Sequence, residues 1–321
     1  LTNSGIPTQG IAFYHQSTLD LLQGLSCSVG LRYDYEHARC DFSKVQQPLN
    51  GNGETKSLEQ FNRSLHFGQF TPRFSMQYLS SHNQLFYASV SKGYKAGGFN
   101  VSFLNNDDYL YSPEYNWNYE IGTKLSFLNN RLSADLSLFY IDWRNQQITN
   151  TIPTVGNVIR NAGRSRNKGI EASFQARPTK SWMMYMNYGY TDARFVHYQK
   201  EERGILKDYE GNYLPMVPRH TFSLTTGYSF YDICSWIDRL TLNAGVSVTG
   251  PIYWYEDNQA KQSPYALVNL RISINKGCFT WEAWSKNLTN TDYLSYYFVT
   301  SKAYAQKGKP ITLGTSVSIS L

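Results

Sequence analysis

The stretch Leu85-Phe86-Tyr87-Ala88-Ser89-Val90-Ser91-Lys92-Gly93-Tyr94-Lys95-Ala96-Gly97-Gly98-Phe99-Asn100 decides how this chain is read. It begins as an alternating strand. Phe86, Ala88 and Val90 fall on one face and Tyr87, Ser89 and Ser91 on the other, because successive strand side chains point to opposite sides. It ends in a glycine-rich, basic and aromatic tip. The alternation recurs upstream, where Leu25, Cys27, Val29, Leu31, Tyr33 and Tyr35 oppose Ser26, Ser28, Gly30, Arg32, Asp34 and Glu36. Soluble strands usually run to about 5–6 residues, whereas a tilted strand needs about 9–11 to cross a bilayer; this one is long enough to cross. Downstream, Leu132, Ala134, Leu136, Leu138 and Tyr140 oppose Ser133, Asp135, Ser137 and Phe139. Leu240 to Thr249 and Ala266 to Ile274 alternate likewise, and the chain closes on Leu313, Thr315, Val317, Ile319 and Leu321.

Composition agrees. Of 321 residues 17% are charged and 16% aromatic, with 26 Tyr, and the mean hydropathy is −0.47. A soluble domain carries about 25% charge, and a helical membrane protein shows apolar runs of about 20 residues; this sequence has neither. Few charges, many tyrosines and mild hydrophilicity fit an all-β fold, a transmembrane antiparallel β-barrel, in which only every second strand residue meets lipid. The net charge of +6 is spread without a dense basic run, which favours a solvated surface or an electropositive mouth over nucleic-acid binding. Cys27, Cys40, Cys234 and Cys278 lack the close spacing of a metal or redox site and read as structural. Cys234 and Cys278, near turns at the same end of neighbouring hairpins, are the pair placed for a bridge. The opening Leu1-Thr2-Asn3-Ser4 has no charged segment and apolar run of a signal peptide.

The connections alternate in length. Short turns stand at Gln23-Gly24, Ser80-Ser81-His82-Asn83, Asn129-Asn130, Pro178-Thr179-Lys180 and Asn275-Lys276-Gly277, with a somewhat longer one between Phe230 and Leu240. Long polar loops are expected at Cys40 to Arg63 (with Pro48, Gly51 and Gly53), Gly98 to Glu114, Val196 to Arg219, Gly250 to Pro264 and Asn290 to Lys309, while Leu132 to Ile148 and Val158 to Arg177 read as single strands. Outer-membrane barrels keep short turns in the periplasm and long loops outside. A lipid-facing Arg or Lys at mid-bilayer costs about 2–4 kcal/mol, so Lys124, Asp135, Arg271 and Glu282, each on a polar set, belong in the lumen. Tyr111, Trp117, Trp143, Tyr253, Trp254, Tyr255 and Tyr296, near strand ends, are expected in interfacial girdles. About 13 strands can be counted, and single-chain bacterial barrels use an even number. Residues 1–321 are therefore expected to be one incomplete barrel domain of a longer chain.

Phe86 to Asn100 resembles the SxGYKxGGFN signature of TonB-dependent outer-membrane receptors. Further segments agree in the family's order. Ser112-Pro113-Glu114 precedes Tyr119-Glu120-Ile121-Gly122-Thr123-Lys124; Asn130-Arg131-Leu132 precedes Phe139-Tyr140; and Asn161-Ala162-Gly163 precedes Gly169-Ile170-Glu171. Leu214-Pro215-Met216-Val217-Pro218-Arg219-His220, Lys286-Asn287-Leu288-Thr289-Asn290 and Gly308-Lys309-Pro310 complete the set, which spans most of residues 25–321. The resemblance implies a 22-stranded plugged barrel of which this chain holds about the last 13 strands, without the plug, its energy-coupling box and about nine strands. Leu321 departs from the family's usual aromatic last residue. The resemblance further implies a multi-pass protein of the bacterial outer membrane that actively imports a chelated nutrient, best a ferric siderophore or other iron complex. A glycan or cobalamin receptor of the same fold, or a non-transporting adhesin or structural barrel, is the alternative. The implied partners are outer-membrane lipid and lipopolysaccharide, the TonB–ExbB–ExbD complex acting through the plug region, and a small iron chelate; no cofactor and no nucleic acid are expected.

Catalytic motifs are missing: the sequence contains no GxSxG, HExxH or phosphate loop, and no enzyme is expected. Gly93, Gly97 and Gly98 lack the Lys-Ser/Thr and helix of a phosphate cradle and read as a strand end with relaxed backbone geometry. Asp107-Asp108 and Glu201-Glu202 read as solvated charge, with weak calcium binding as the alternative. Haem receptors of the family commonly carry a Phe-Arg-Ala-Pro segment, which this chain lacks, so its six histidines are expected to be incidental. Candidate ligand contacts are the lumen and loop residues Tyr94, Lys95, Asn100, Arg164, Arg166, Trp254 and Tyr255, which offer stacking and charge to a chelated anion.

Overall fold

The computed structural model describes residues 2–46, 56–103, 105–152, 155–161, 163–202, 205–299 and 302–320. Of the features above, Leu1, Pro48, Gly51, Gly53, Ala162, Arg203, Gly204 and Leu321, and the side chains of Asp107, Glu201 and Glu202, lie outside the described residues.

Fourteen strands form one antiparallel sheet: β1 Thr2–Gly5, β2 Thr8–Leu22, β3 Leu25–Gln46, β4 Lys56–Leu79, β5 Leu85–Lys95, β6 Glu114–Phe127, β7 Leu132–Arg144, β8 Arg164–Ala176, β9 Trp182–His197, β10 His220–Cys234, β11 Ile237–Thr249, β12 Tyr265–Lys276, β13 Phe279–Lys286 and β14 Thr312–Ile319. From β3 onward each strand pairs with the next in chain order. Strands β1 and β2 lie end to end along one edge of β3, so the sheet is thirteen strands wide. Tight turns close one end. At the first of them Gly24 takes φ +79°, and a Cβ there would stand 2.3 Å from the Leu79 carbonyl oxygen, so glycine is required.

Register gives the sheet two faces. Ala88, Ile121, Leu138 and Ile170 share one rung across β5 to β8, and the next rung, on the opposite face, is Tyr87, Gly122, Ser137 and Glu171. The first face is apolar and exposed, with Val29, Leu31, Phe74, Leu136, Leu138, Ile170, Leu242 and Ile272 uncovered. On the second, the Tyr87 hydroxyl donates to Glu120, Lys124 stands opposite Asp135, and Arg271 lies 3.8 Å from Glu282. The four charged residues expected inside all fall on this polar face. The two buried clusters among the described residues both lie at the long-loop end, so the apolar face has no protein core to enter and is suited to hydrocarbon. The helical content of the described residues is one 3₁₀ turn, Asn106–Tyr109, and no helix is long and apolar enough to cross a membrane.

In several places the structure differs from what the alternation predicts. Much of Cys40 to Arg63 is strand, because β3 and β4 run 22 and 24 residues and project past the apolar band. There the apolar set changes face, from Val29, Leu31, Tyr33 and Tyr35 to Ala38, Cys40 and Phe42, because beyond the bilayer it is the inner side that packs, against Phe99. Leu132 to Ile148 and Val158 to Arg177 are each interrupted by a hairpin, Gln147–Ile152 with Gly156–Asn161, which makes a sixth long connection. The connection after Phe230 is short: β10 and β11 run up to Ser235-Trp236, and a bulge between Tyr231 and Cys234, with Asp232 at φ 53°, breaks the period of two. The last tight turn is Gly277-Cys278, with Gly277 at φ +52°. All four cysteines are free, Cys234 and Cys278 included, so the bridge is not formed. Trp117 lies on the apolar face but Trp143 is on the polar one. Tyr111, Tyr253, Trp254, Tyr255 and Tyr296 belong to the long connections, and Tyr119 and Tyr140, opposite one another, stand where the apolar run of the face ends.

Candidate functional site

The long connections are shaped by their own backbone pairing. Gly98–Phe99 pairs with Leu110–Tyr111, Gln199–Glu202 with Ile205–Asp208, Ile252–Tyr253 with Lys261–Gln262, and Leu294–Val299 with Ala303–Lys307. Each hairpin satisfies backbone groups that would otherwise need water.

The glycine-rich tip of β5 opens the first of these connections. Neither Gly97 nor Gly98 takes a positive φ. A Cβ on Gly97 would come within 2.3 Å of the Tyr111 carbonyl oxygen and 2.9 Å of the Phe67 ring, and one on Gly98 within 2.4 Å of the Tyr111 hydroxyl. The glycines thus serve close packing, where relaxed backbone geometry was expected. Burial pushes the Tyr111 phenol above its ordinary pKa. Beyond the tip, Phe99 joins Ala38, Cys40 and Phe42 in a buried cluster, with Phe103 and Phe61 against it. The Phe42 and Phe61 rings stack at 4.8 Å, and Phe103 meets Tyr109 edge-on at 4.1 Å.

Asn100 fastens this connection to the neighbouring one. Its amide nitrogen donates to the carbonyl oxygens of Asp108 and Ile159, each at 2.8 Å, and its oxygen accepts from the Ile159 N–H at 2.8 Å. Arg160 makes a two-pronged contact with Asp108, at 2.7 and 2.8 Å. Glu114 accepts from the Gln147 N–H, and the Gln147 side chain donates to the Ala96 carbonyl at 2.7 Å. The segments around 96–113 and 145–163 are therefore one clamped body. Asn100, 4% exposed, is spent on that clamp.

Trp254 and Tyr255 are together, in a second body. Trp254 is 5% exposed and packs against Tyr296 and Tyr297, with ring centroids 6.3 and 6.4 Å away. Its indole Nε1 has no hydrogen-bond partner among the described residues. The Tyr255 hydroxyl accepts from the Val299 N–H, and burial raises its pKa against the pull of that bond.

Tyr94 and Lys95 end β5. The Tyr94 hydroxyl donates to Glu36, a partner that its place on the polar set of β3 made legible and that the sequence reading did not single out. Lys95, exposed and on the Tyr87 side of its strand opposite Glu114, has no ion-pair partner among the described residues. Arg164 and Arg166 go elsewhere. Arg166 lies four residues from Ile170 and so on the same side, and Arg164 donates to Asp142, so both stand on the apolar face and not in the lumen. The seven candidates thus fall into separate places. At the tight-turn end the polar face carries an open groove of about 540 Å³, lined in part by Arg131, Arg177, Lys180 and Arg239. Among the described residues no group of three His, Cys, Asp or Glu side chains is placed to hold a metal ion.

A sheet with one apolar face, tight turns at one end and folded connections at the other is the wall of a membrane barrel. Residues 1–290 match the family model described as TonB dependent receptor-like, beta-barrel. The chain belongs to this family. Its members are receptors and transporters of the Gram-negative outer membrane. The pesticin receptor of Yersinia pestis is 24% identical to this TonB-dependent receptor barrel, over 99% of this chain and 45% of that one. The crystal structure of the ferric yersiniabactin uptake receptor FyuA from Yersinia pestis superposes with a TM-score of 0.82 at 21% identity, covering 99% of this chain and 46% of that one. The siderophore receptor PiuA from Acinetobacter baumannii follows with a TM-score of 0.77 at 20% identity, over 97% and 42%. This receptor barrel chain spans about half the length of the relatives it matches. In a barrel of this family the apolar face meets lipid and the polar face lines the lumen.

Proposed function

We propose that residues 1–321 are the C-terminal wall, about the last 13 of 22 strands, of an outer-membrane transporter that imports a ferric siderophore or other iron chelate, and that its work is transport and not catalysis. The match of residues 1–290 to the receptor barrel family carries the reading, and the descriptions of FyuA as a ferric yersiniabactin uptake receptor and of PiuA as a siderophore receptor support the iron chelate. The rest of the full-length protein supplies the plug, through which the TonB–ExbB–ExbD complex drives import; lipopolysaccharide and phospholipid surround the wall. Within this chain, Lys95 is a lumen-side cation at the loop end without an ion-pair partner among the described residues and draws an anionic chelate. Trp254 offers an indole N–H with no hydrogen-bond partner among the described residues, Tyr255 stands next to it, Tyr94 closes the strand before Lys95 with its hydroxyl on Glu36, and Asn100 holds the loops in shape.

The test is binding of ferric siderophores to the full-length receptor, followed by tryptophan fluorescence. Saturable quenching is expected, with Lys95→Glu weakening affinity by about tenfold through reversal of one charge. A receptor that binds no ferric chelate, and whose expression ignores iron limitation, would remove the iron reading.

A further inference from the structure

The apolar face changes character near the loop end. Along β7 it reads Leu136, Leu138 and Tyr140, then Asp142 and Arg144; along β8 it reads Ala172 and Ile170, then Lys168, Arg166 and Arg164. The register places Tyr140 opposite Lys168, Asp142 opposite Arg166, and Arg144 opposite Arg164. From Leu132 to Tyr140 the apolar band of β7 rises eight residue steps, which at about 3.3 Å per residue and a tilt of about 40° is roughly 20 Å of bilayer. The cations therefore begin where the hydrocarbon ends. Tyr119 and Tyr140, on the first of these rungs, are residues suited to that boundary.

These charges do not cancel. Five cations, Arg144, Arg164, Arg166, Lys168 and Arg194, share the patch with Asp142 and Asp192, a surplus of five minus two, or +3. Asp142 is nearly buried and sits 2.9 Å from an Arg144 terminal nitrogen while also accepting from Arg164. One carboxylate thus holds two guanidinium groups side by side, yet their side chains stay 47% and 42% exposed. Arg194 is occupied by Asp192 at 2.7 Å and the Gly211 carbonyl at 3.0 Å. Lys168 reaches Asp192 at 3.9 Å only, and Arg166 is exposed. Arginines on a lipid-facing wall at headgroup height, above tyrosines and an apolar surface, match a lipid that carries phosphates over acyl chains.

Resting on the reading of this chain as an outer-membrane barrel wall, we propose that Arg144, Arg164, Arg166 and Lys168 form a binding site for the phosphate groups of a lipopolysaccharide molecule in the outer leaflet. Asp142 acts as a positioning residue that sets the spacing of Arg144 and Arg164. The apolar band below, through Leu138 and Ile170, takes the acyl chains, which a free phosphate ion would not use.

The test uses the full-length receptor purified in mild detergent, with retained lipopolysaccharide measured by native mass spectrometry. The double variant Arg166→Gln/Lys168→Gln leaves Asp142 paired and should keep the heat-dependent gel migration of a folded barrel. It is expected to retain at least fivefold less lipopolysaccharide than wild type, whereas Lys124→Gln on the polar face should retain the wild-type amount. Lipopolysaccharide stripped of its phosphates should bind wild type at least tenfold more weakly. Ferric-chelate binding, read on the same samples, should be the same in wild type and double variant, so its absence from wild type would count against import alone. Equal retention by wild type and double variant, indifference to the phosphates, or equal occupancy by phosphatidylglycerol would each overturn the proposal.

Discussion

Asn100→Ala will free two extracellular connections while leaving the barrel wall intact. Alanine removes three hydrogen bonds at once, the one to the Asp108 carbonyl and the two to the backbone groups of Ile159. A buried polar group left unpaired costs about 1–3 kcal/mol. Water will reach some of these groups as the connection opens, so a loss of about 3 kcal/mol is expected for the clamp as a whole, and about a hundredfold loss of amide-exchange protection. The loss should cover 98–111 and 147–161, because Asn100 is the hinge point between them. Strands β7 and β8, whose ladder does not depend on Asn100, should exchange as in wild type. Hydrogen exchange on the reconstituted full-length receptor reads both regions; unchanged protection in the connections would contradict the role given to Asn100.

The second large effect concerns the wall. Leu136 is exposed on the apolar face, at the middle of the alternating run of β7, with Thr123 and Ala172 beside it. Leu136→Arg is expected to cost about 2–4 kcal/mol of folded stability in the bilayer, the cost of an arginine facing lipid at mid-depth. Ser137→Arg moves the same charge one residue along the chain to the polar face, beside Glu171. It should be close to neutral. Denaturant unfolding in lipid vesicles gives both values, and equal costs at the two positions would contradict the assignment of faces.

Much of this wall was legible from alternation alone. Phe86 to Lys95, Leu25 to Glu36 and Leu132 to Tyr140 each keep one phase through the bilayer, and the facing of Lys124, Asp135, Arg271 and Glu282 followed from it. What escaped has physical causes. Above the membrane the lipid no longer sets the phase, so the apolar positions of β3 switch at Ala38 and the strand there looked like a loop. The bulge before Cys234 adds a residue that breaks the count, and the polar hairpin Gln147–Ile152 with Gly156–Asn161 has no apolar stripe of its own. The site was less legible. Asn100 has the composition of a ligand contact, and only the partners 8 and 59 residues away show that it is a clamp. Arg164 and Arg166 could have been placed correctly, since counting back in twos from Ile170 puts both on the lipid side.

Which face of the sheet meets lipid underlies both the import reading and the lipopolysaccharide site. The most direct test replaces the four free cysteines by serine, places single cysteines in turn at residues 132–144 of the full-length receptor, attaches a spin label, and compares collisions with oxygen and with a water-soluble nickel chelate in vesicles. Positions 132, 134, 136, 138 and 140 should favour oxygen and 133, 135, 137 and 139 the nickel chelate, with the oxygen preference fading at 142 and 144. An absence of this two-residue period, or its opposite phase, would contradict the account.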